Sequence, residues 1–193
     1  IGTLVLAAVL GALLALPLAG IVLRVSPGAL AEQLASPGVR EALRLSLFTS
    51  LAATLVSLLL GLPMAALLAT REFPGKRIVE VLVDLPMVIP PTVAGFALLL
   101  AFGRAGLMGG TLTALGITLP FSTAGVVVAQ VFMSAPFLIG ATRAGLAAVD
   151  QRYLDAAQTL RAGEVYAFLR VRLPLALPSL VAGIGMCWAR ALG

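Results

Sequence analysis

The sequence predicts an all-α integral membrane protein, and three observations carry that expectation. Of its 193 residues 61% are hydrophobic and 11% are charged, where a soluble domain carries about 25% charged residues. Mean hydropathy is +1.11. Charge-free runs long enough to cross a bilayer recur along the chain, and most of the cations gather in two of the segments between them. In water such a chain would expose far more apolar surface than a folded monomer tolerates.

A helix rises about 1.5 Å per residue, so roughly 20 apolar residues cross the hydrocarbon core. Charge-free runs occupy residues 1–23, 45–70, 85–103, 105–142 and 173–189. The first, Ile1 to Leu23, has no basic flank ahead of it and is long for a signal-peptide core. It is expected to be an uncleaved spanning helix whose front end is missing. The fourth run exceeds one helix, and glycines and threonines crowd its first part, "AGLMGGTLTALGITLP". That part is expected as a loop or re-entrant piece, with the span beginning at Phe121. Five spans follow, at about 1–23, 45–70, 85–103, 121–142 and 173–192, in one polytopic domain over residues 1–193.

Lys and Arg placement orients the spans. With the chain start in the cytoplasm, the inner loops 71–84 and 143–172 hold eight cations and the outer loops four, Arg24, Arg40, Arg44 and Arg104. That asymmetry predicts a cytoplasmic N-terminus in the inner, or cytoplasmic, cell membrane. Arg190, near the outer end of the fifth span, counts mildly against it.

Several function classes are excluded. The chain has no histidine and a single cysteine, Cys187, so no disulfide framework, zinc cluster or other metal site is expected. No phosphate-binding loop occurs, and no paired carboxylates or nucleophile–base sets lie within the spans. No catalytic residue and no cofactor are expected in this chain. A nucleic-acid role would need a clustered basic face, which is lacking.

Pro17, Pro63, Pro86, Pro90, Pro91, Pro136, Pro174 and Pro178 lie in or beside spans, and each removes a helical hydrogen bond. The densest stretch is "DLPMVIPPTVAG", residues 84–95. There the third helix either kinks for packing or bends around a pathway past Pro90 and Pro91. In the second span Ser46, Ser50, Thr54 and Ser57 share one face that continues to Gly61. They form either a hydroxyl stripe along a pathway or a small-residue packing face. Gln130 in the fourth span has the same two readings. Arg104 lies between Gly103 and Gly106 and is either a helix-end anchor or a contact for an external protein.

The segment "DAAQTLRAGEVYAFLRVRLPLALP", residues 155–178, differs from the rest of the chain. Apolar residues recur at helical spacing, Gly163 interrupts them, and two short helices are expected at the inner surface. From the residues alone it is either an interfacial helix pair meeting headgroups or a docking surface for a cytoplasmic partner.

This segment resembles the EAA loop of the membrane subunits of binding-protein-dependent ABC importers. The pattern there is E-A-A, three residues, G, nine residues, I-x-L-P. Asp155, Ala156 and Ala157 stand at the first three positions, Arg161 at the glycine, Val171 at the isoleucine, and Leu173-Pro174 matches outright. Arg161 adopts positive φ less cheaply than glycine, so the turn is expected two residues later, at Gly163. The stretch "LPMVIPPTVAG" followed by "FGRAGLMG" is similar to the molybdate and tungstate permeases, with sulfate permeases close by.

The resemblance implies the transmembrane domain of a type I ABC importer that passes an oxyanion, with a sixth helix expected and absent here. It also implies a homodimer, two cytoplasmic ATP-binding subunits that hold ATP and Mg and engage the EAA loops, and an extracytoplasmic substrate-binding protein. Arg104 would then face that binding protein. The rival from another class is an ion-coupled secondary transporter, which ordinarily carries ionisable groups inside its spans. None of these spans has a central acid or histidine.

Overall fold

A computed structural model describes residues 2–24 and 26–193; Ile1, the first residue of the expected first span, and Val25 lie outside the described residues. Every regular element among the described residues is helical. The chain divides into two compact units, residues 1–45 and 46–193.

The first unit holds α1 (Gly2–Arg24), α2 (Pro27–Ala35) and the start of α3 (Pro37–Thr70). α1 is apolar on all sides and buries no residue, as suits a helix surrounded by hydrocarbon. Ser26-Pro27-Gly28 and Ser36-Pro37-Gly38 start the next two helices alike. Ser26 Oγ accepts the Ala29 N–H at 3.2 Å and Ser36 Oγ the Val39 N–H at 3.4 Å, while each proline takes a first-turn position that has no bond to lose. The second span was expected from residue 45, but its helix begins at Pro37 and carries Arg40, Glu41 and Arg44 in its first turns.

The second unit continues α3 and adds α4 (Lys76–Val88), α5 (Pro91–Phe102), α6 (Gly109–Ala114), α7 (Thr123–Ala147), α8 (Gln151–Thr159) and α9 (Glu164–Ala167). A π-helical turn (Phe168–Arg172) then leads into α10 (Leu173–Leu192). Two expectations are corrected here. The third span is not one bent helix over 85–103 but two helices, because Ile89 is extended and neither Pro90 nor Pro91 can donate to the carbonyls of Pro86 and Met87. α5 has 12 residues, or about 18 Å, too short to cross alone. The fifth span departs as well: limbs Glu164–Leu175 and Leu177–Leu192 meet at 70°. Pro178 explains the bend, since it leaves the Pro174 carbonyl without a helical donor. Among the described residues three helices, α1, α3 and α7, are long and apolar enough to cross a membrane, or four with the bent pair, against five expected.

The second unit packs through small residues. Ala53, Ala65, Ala94, Ala176, Gly61 and Gly183 are buried, whereas leucines such as Leu59 and Leu60 face outward. Lipid tails are as apolar as leucine, so burying leucine drives little association in a bilayer, and close backbone approach matters instead. A Cβ at Gly183 would lie 3.2 Å from both the Ala141 Cβ and the Leu138 carbonyl oxygen. A Cβ at Gly145 would overlap the Ser179 side chain. α7 and α10 therefore touch along most of their length. A second contact joins α3, α4 and α7 through Ala65, Leu68 and Ile139, with Phe73, Val79 and Val83 around them.

This packing makes a sign prediction. In an open helix Gly→Ala stabilises by about 1 kcal/mol. Gly145→Ala should instead destabilise by about 1–3 kcal/mol through overpacking, with Ser179→Gly recovering most of the loss. Gly140→Ala, with open space beside it, should not destabilise. Thermal unfolding in detergent of Gly145→Ala, of Gly145→Ala with Ser179→Gly, and of Gly140→Ala, each against wild type, checks all three signs.

Candidate functional site

The segment between α7 and α10 is a helix–turn–helix. Asp150 starts α8, its Oδ1 accepting the Arg152 N–H at 2.9 Å, the usual role of a capping aspartate. Leu154 is buried and anchors the helix, while Asp155 and Ala156 are exposed and Ala157 is half-buried. Asp155 Oδ1 accepts from Gln151 Nε2 at 3.2 Å, one helical turn back. The three residues at the E-A-A positions thus lie on α8 with two of them open to a partner.

The turn that follows corrects the sequence expectation. Arg161 has φ 59, in the left-handed region, and Gly163 has φ −68. The Ala162 N–H donates to the Ala157 carbonyl at 3.1 Å, the long-range bond of a Schellman cap, in which the preceding residue takes positive φ. Arg161 is that residue, so the turn sits where the EAA pattern has its glycine. The cost for a non-glycine residue is about 1–2 kcal/mol. Gly163 has a separate task as the N-cap of α9, its carbonyl accepting the Ala167 N–H at 2.9 Å.

From α9 the helix runs on through the π turn, where the Leu173 N–H reaches back to the Phe168 carbonyl. Val171 and Leu173 are half-buried and Pro174 is exposed. Pro174 lies in the first turn of α10, so the helix is continuous through Leu173-Pro174, and the sharp bend comes just after it.

Three ion pairs, made by two arginines, join residues distant in sequence here. Arg71, just past α3, pairs with Glu164 at the start of α9. Arg143 on α7 reaches Glu80 at 3.3 Å and Asp84 at 4.0 Å on α4. Sequence reasoning missed Glu164 and Glu80 as partners, since each is one of three carboxylates in its loop and nothing local sets it apart. Between the end of α3 and the segment lies a cleft of about 560 Å³, lined among others by Thr70, Arg71, Leu154, Glu164 and Arg172. Arg172 donates to Gln151 Oε1 at 3.5 Å.

The residues offered for a pathway do not form one open surface. Ser50 and Ser57 are completely buried and Thr54 is 8% exposed, while Ser46 is half-buried. Ser50 Oγ accepts from Trp188 Nε1 at 3.2 Å and Thr54 Oγ1 donates to the Ser50 carbonyl at 2.8 Å. Gln130 Nε2 donates to the Ala191 carbonyl at 2.9 Å. In this conformation the hydroxyl stripe is a packing seam, in keeping with the small-residue reading. Ser134 on α7 is buried against α10, its Oγ accepting from the Cys187 thiol at 3.4 Å. Pro90, Pro91 and Arg104 are exposed.

The segment is therefore a preformed, partly exposed helix pair, continuous with one long helix and ion-paired to a residue beside the end of another.

Comparison with known proteins places this arrangement. Residues 57–193 match the family described as the binding-protein-dependent transport system inner membrane component. The chain is 42% identical to the molybdate/tungstate transport system permease protein of Thermococcus kodakarensis, over 98% of this chain and 74% of that one. It is also 42% identical to the molybdenum transport system permease protein of Mycobacterium tuberculosis (93% of this chain, 68% of that one) and to that of Escherichia coli K12 (79% and 67%). The fold is similar to that of a bacterial ABC transporter involved in the import of the acidic polysaccharide alginate, with TM-score 0.70 and 15% identity over 98% of this chain and 72% of that one. With the family match extending from the middle of α3 through the helix pair to the last residue, the chain belongs to the inner membrane components of binding-protein-dependent transport systems.

Proposed function

We propose that this chain is the permease subunit of an importer for molybdate or tungstate, and that residues 155–174 couple it to a separate ATPase. The observation that carries the coupling is the helix pair itself. Its E-A-A positions lie on α8, its cap falls at the position of the pattern's glycine, and its second half continues as helix into the first turn of α10, ahead of the 70° bend. The oxyanion is inferred from the relatives' names.

In this reading the two units act as one permease domain in the cytoplasmic membrane, with the N-terminus inside. Two copies pair, an external binding protein delivers the oxyanion, and two ATP-binding subunits hold ATP and Mg. Asp155, Ala156 and Ala157 meet the ATP-binding subunit, Arg161 and Gly163 shape the turn, and Val171, Leu173 and Pro174 pass its displacement to α10. The pathway runs past the break at Pro90 and Pro91, where irregular backbone at membrane depth is tolerated beside a water-filled cavity. Ser46, Ser50, Thr54, Ser57 and Gln130 join its lining only when α3 parts from α10. Arg104 attracts the binding protein or its anion.

Two measurements test this. Ala156→Asp and Ala157→Asp place an unpaired carboxylate in the docking contact, where burying a charge costs several kcal/mol. Each should reduce co-purification of the ATPase subunit by about tenfold or more and abolish ATP-dependent uptake while membrane insertion is unchanged. Ala156 is exposed, so its substitution leaves the fold intact; retained uptake in Ala156→Asp would remove the docking claim. In proteoliposomes containing the complete importer, molybdate uptake should be suppressed by equimolar tungstate and not by equimolar sulfate. The opposite ranking would make this a sulfate permease.

A further inference from the structure

Arg161 combines three features that a residue serving only its own chain does not need. Its backbone is left-handed, at φ 59, in a position glycine would occupy without strain. Its side chain is exposed, and among the described residues it pairs with no carboxylate and makes no side-chain hydrogen bond. Four other arginines of these inner segments are engaged. Arg71 pairs with Glu164, Arg143 with Glu80 and Asp84, Arg152 with Asp150, and Arg172 bonds Gln151. Arg77 and Arg170 are unpaired too, but both sit within helical elements at negative φ, so neither strains the backbone.

The cap bond from Ala162 to Ala157 and the use of Gly163 to start α9 hold the backbone at Arg161 left-handed, and residues held in this way cluster at functional positions. Among the described residues nothing pairs with the Arg161 guanidinium. The surface around it also points outward: Leu160 is 83% exposed, Val165 73% and Tyr166 61%. A cation beside exposed apolar side chains matches the anatomy of an interface hot spot, where a desolvated arginine is ringed by residues that exclude water.

We propose that Arg161 is the charge-specific contact of this segment. Its guanidinium enters an acidic recess of the ATP-binding subunit, and Leu160, Val165 and Tyr166 close over the pair. The inference rests on the coupling role proposed above and adds to it the chemistry of the partner surface, which must offer a carboxylate beside apolar groups.

The test is the affinity of the purified ATP-binding subunit for the intact permease in lipid nanodiscs, measured against salt, for wild type, Arg161→Gly, Arg161→Lys, Arg161→Glu and Ala156→Asp. Arg161→Gly relieves the backbone strain, so a merely structural role predicts binding equal to or tighter than wild type, and that result would overturn the proposal. The expected result is weakening by about tenfold at low salt, narrowing towards wild type at about 0.5 M salt as screening removes the pair's advantage. Arg161→Lys should fall between the two and Arg161→Glu should be weakest. Discs of phosphatidylcholine are compared with discs containing phosphatidylglycerol. A loss seen only with the anionic lipid assigns Arg161 to headgroups and also overturns the proposal. If wild type binds and Ala156→Asp does not, docking stands whatever Arg161 does. If wild type itself fails to bind, the coupling role falls and this inference with it.

Discussion

The close approach of α7 and α10 is the constraint on which the rest of the second unit depends. These helices are the two ends of the candidate coupling segment, one leading into it and the other out of it. Gly145 against Ser179 and Gly183 against Ala141 and Leu138 leave no room for a methyl group to spare. In a bilayer this is how adhesion is obtained, since tight van der Waals contact replaces a hydrophobic drive that lipid cannot supply. The seam also hides polar groups. The Ser134–Cys187 contact and the Gln130 bond to the Ala191 carbonyl lie along it. With its ends held by one rigid pair, a segment of some twenty residues can stand as a defined surface without a core of its own.

Proline accounts for the departures from straight helices, and its effect depends on what surrounds it. Pro63 and Pro136 sit inside α3 and α7 without ending them. At Pro90-Pro91 two consecutive residues lack donors and the preceding Ile89 is extended, so the helix stops and restarts. At Pro178 the helix continues but turns through 70°. One lost hydrogen bond bends a helix; two adjacent losses, with the residue before proline pushed out of the helical region, end it.

What the sequence made legible is what depends on neighbouring residues. Apolar run length located α1, α3 and α7, and charge located the segment between α7 and α10. The position of the third span's disturbance was equally plain, because Pro90 and Pro91 are visible as letters. Whether the span bent or broke was not, since that turned on Ile89 becoming extended. The hydroxyl stripe of α3 was correctly placed on one face, but periodicity says which residues share a face and not what the face meets. The turn at Arg161 was displaced for a different reason. The cost of positive φ was weighed alone, whereas the Ala162–Ala157 bond fixes the cap's register and Gly163 is already committed to starting α9. The Arg71–Glu164 pair joins residues 93 apart, a separation across which no local pattern operates.

These contacts also limit how the unit could move. A displacement along Glu164–Leu175 reaches the second limb across a 70° bend, so it arrives mainly as sideways motion of α10. α7 would have to follow, because the glycine contacts between them leave no slack. α4 would follow α7 through Arg143, Glu80 and Asp84. α3 is held differently. Among the described residues one side-chain hydrogen bond, from Trp188 to Ser50, ties it to α10, Ala65 and Leu68 pack against Ile139 of α7, and Arg71, just past its end, pairs with Glu164. The buried stripe of α3 carries Ser50 and Thr54, whose hydroxyls donate to carbonyls of their own helix, and Ser57, whose Oγ has no hydrogen-bond partner among the described residues. Serine and threonine suit a stripe buried in this way, because their hydroxyls can bond to the helix's own carbonyls and need no partner from a neighbouring helix.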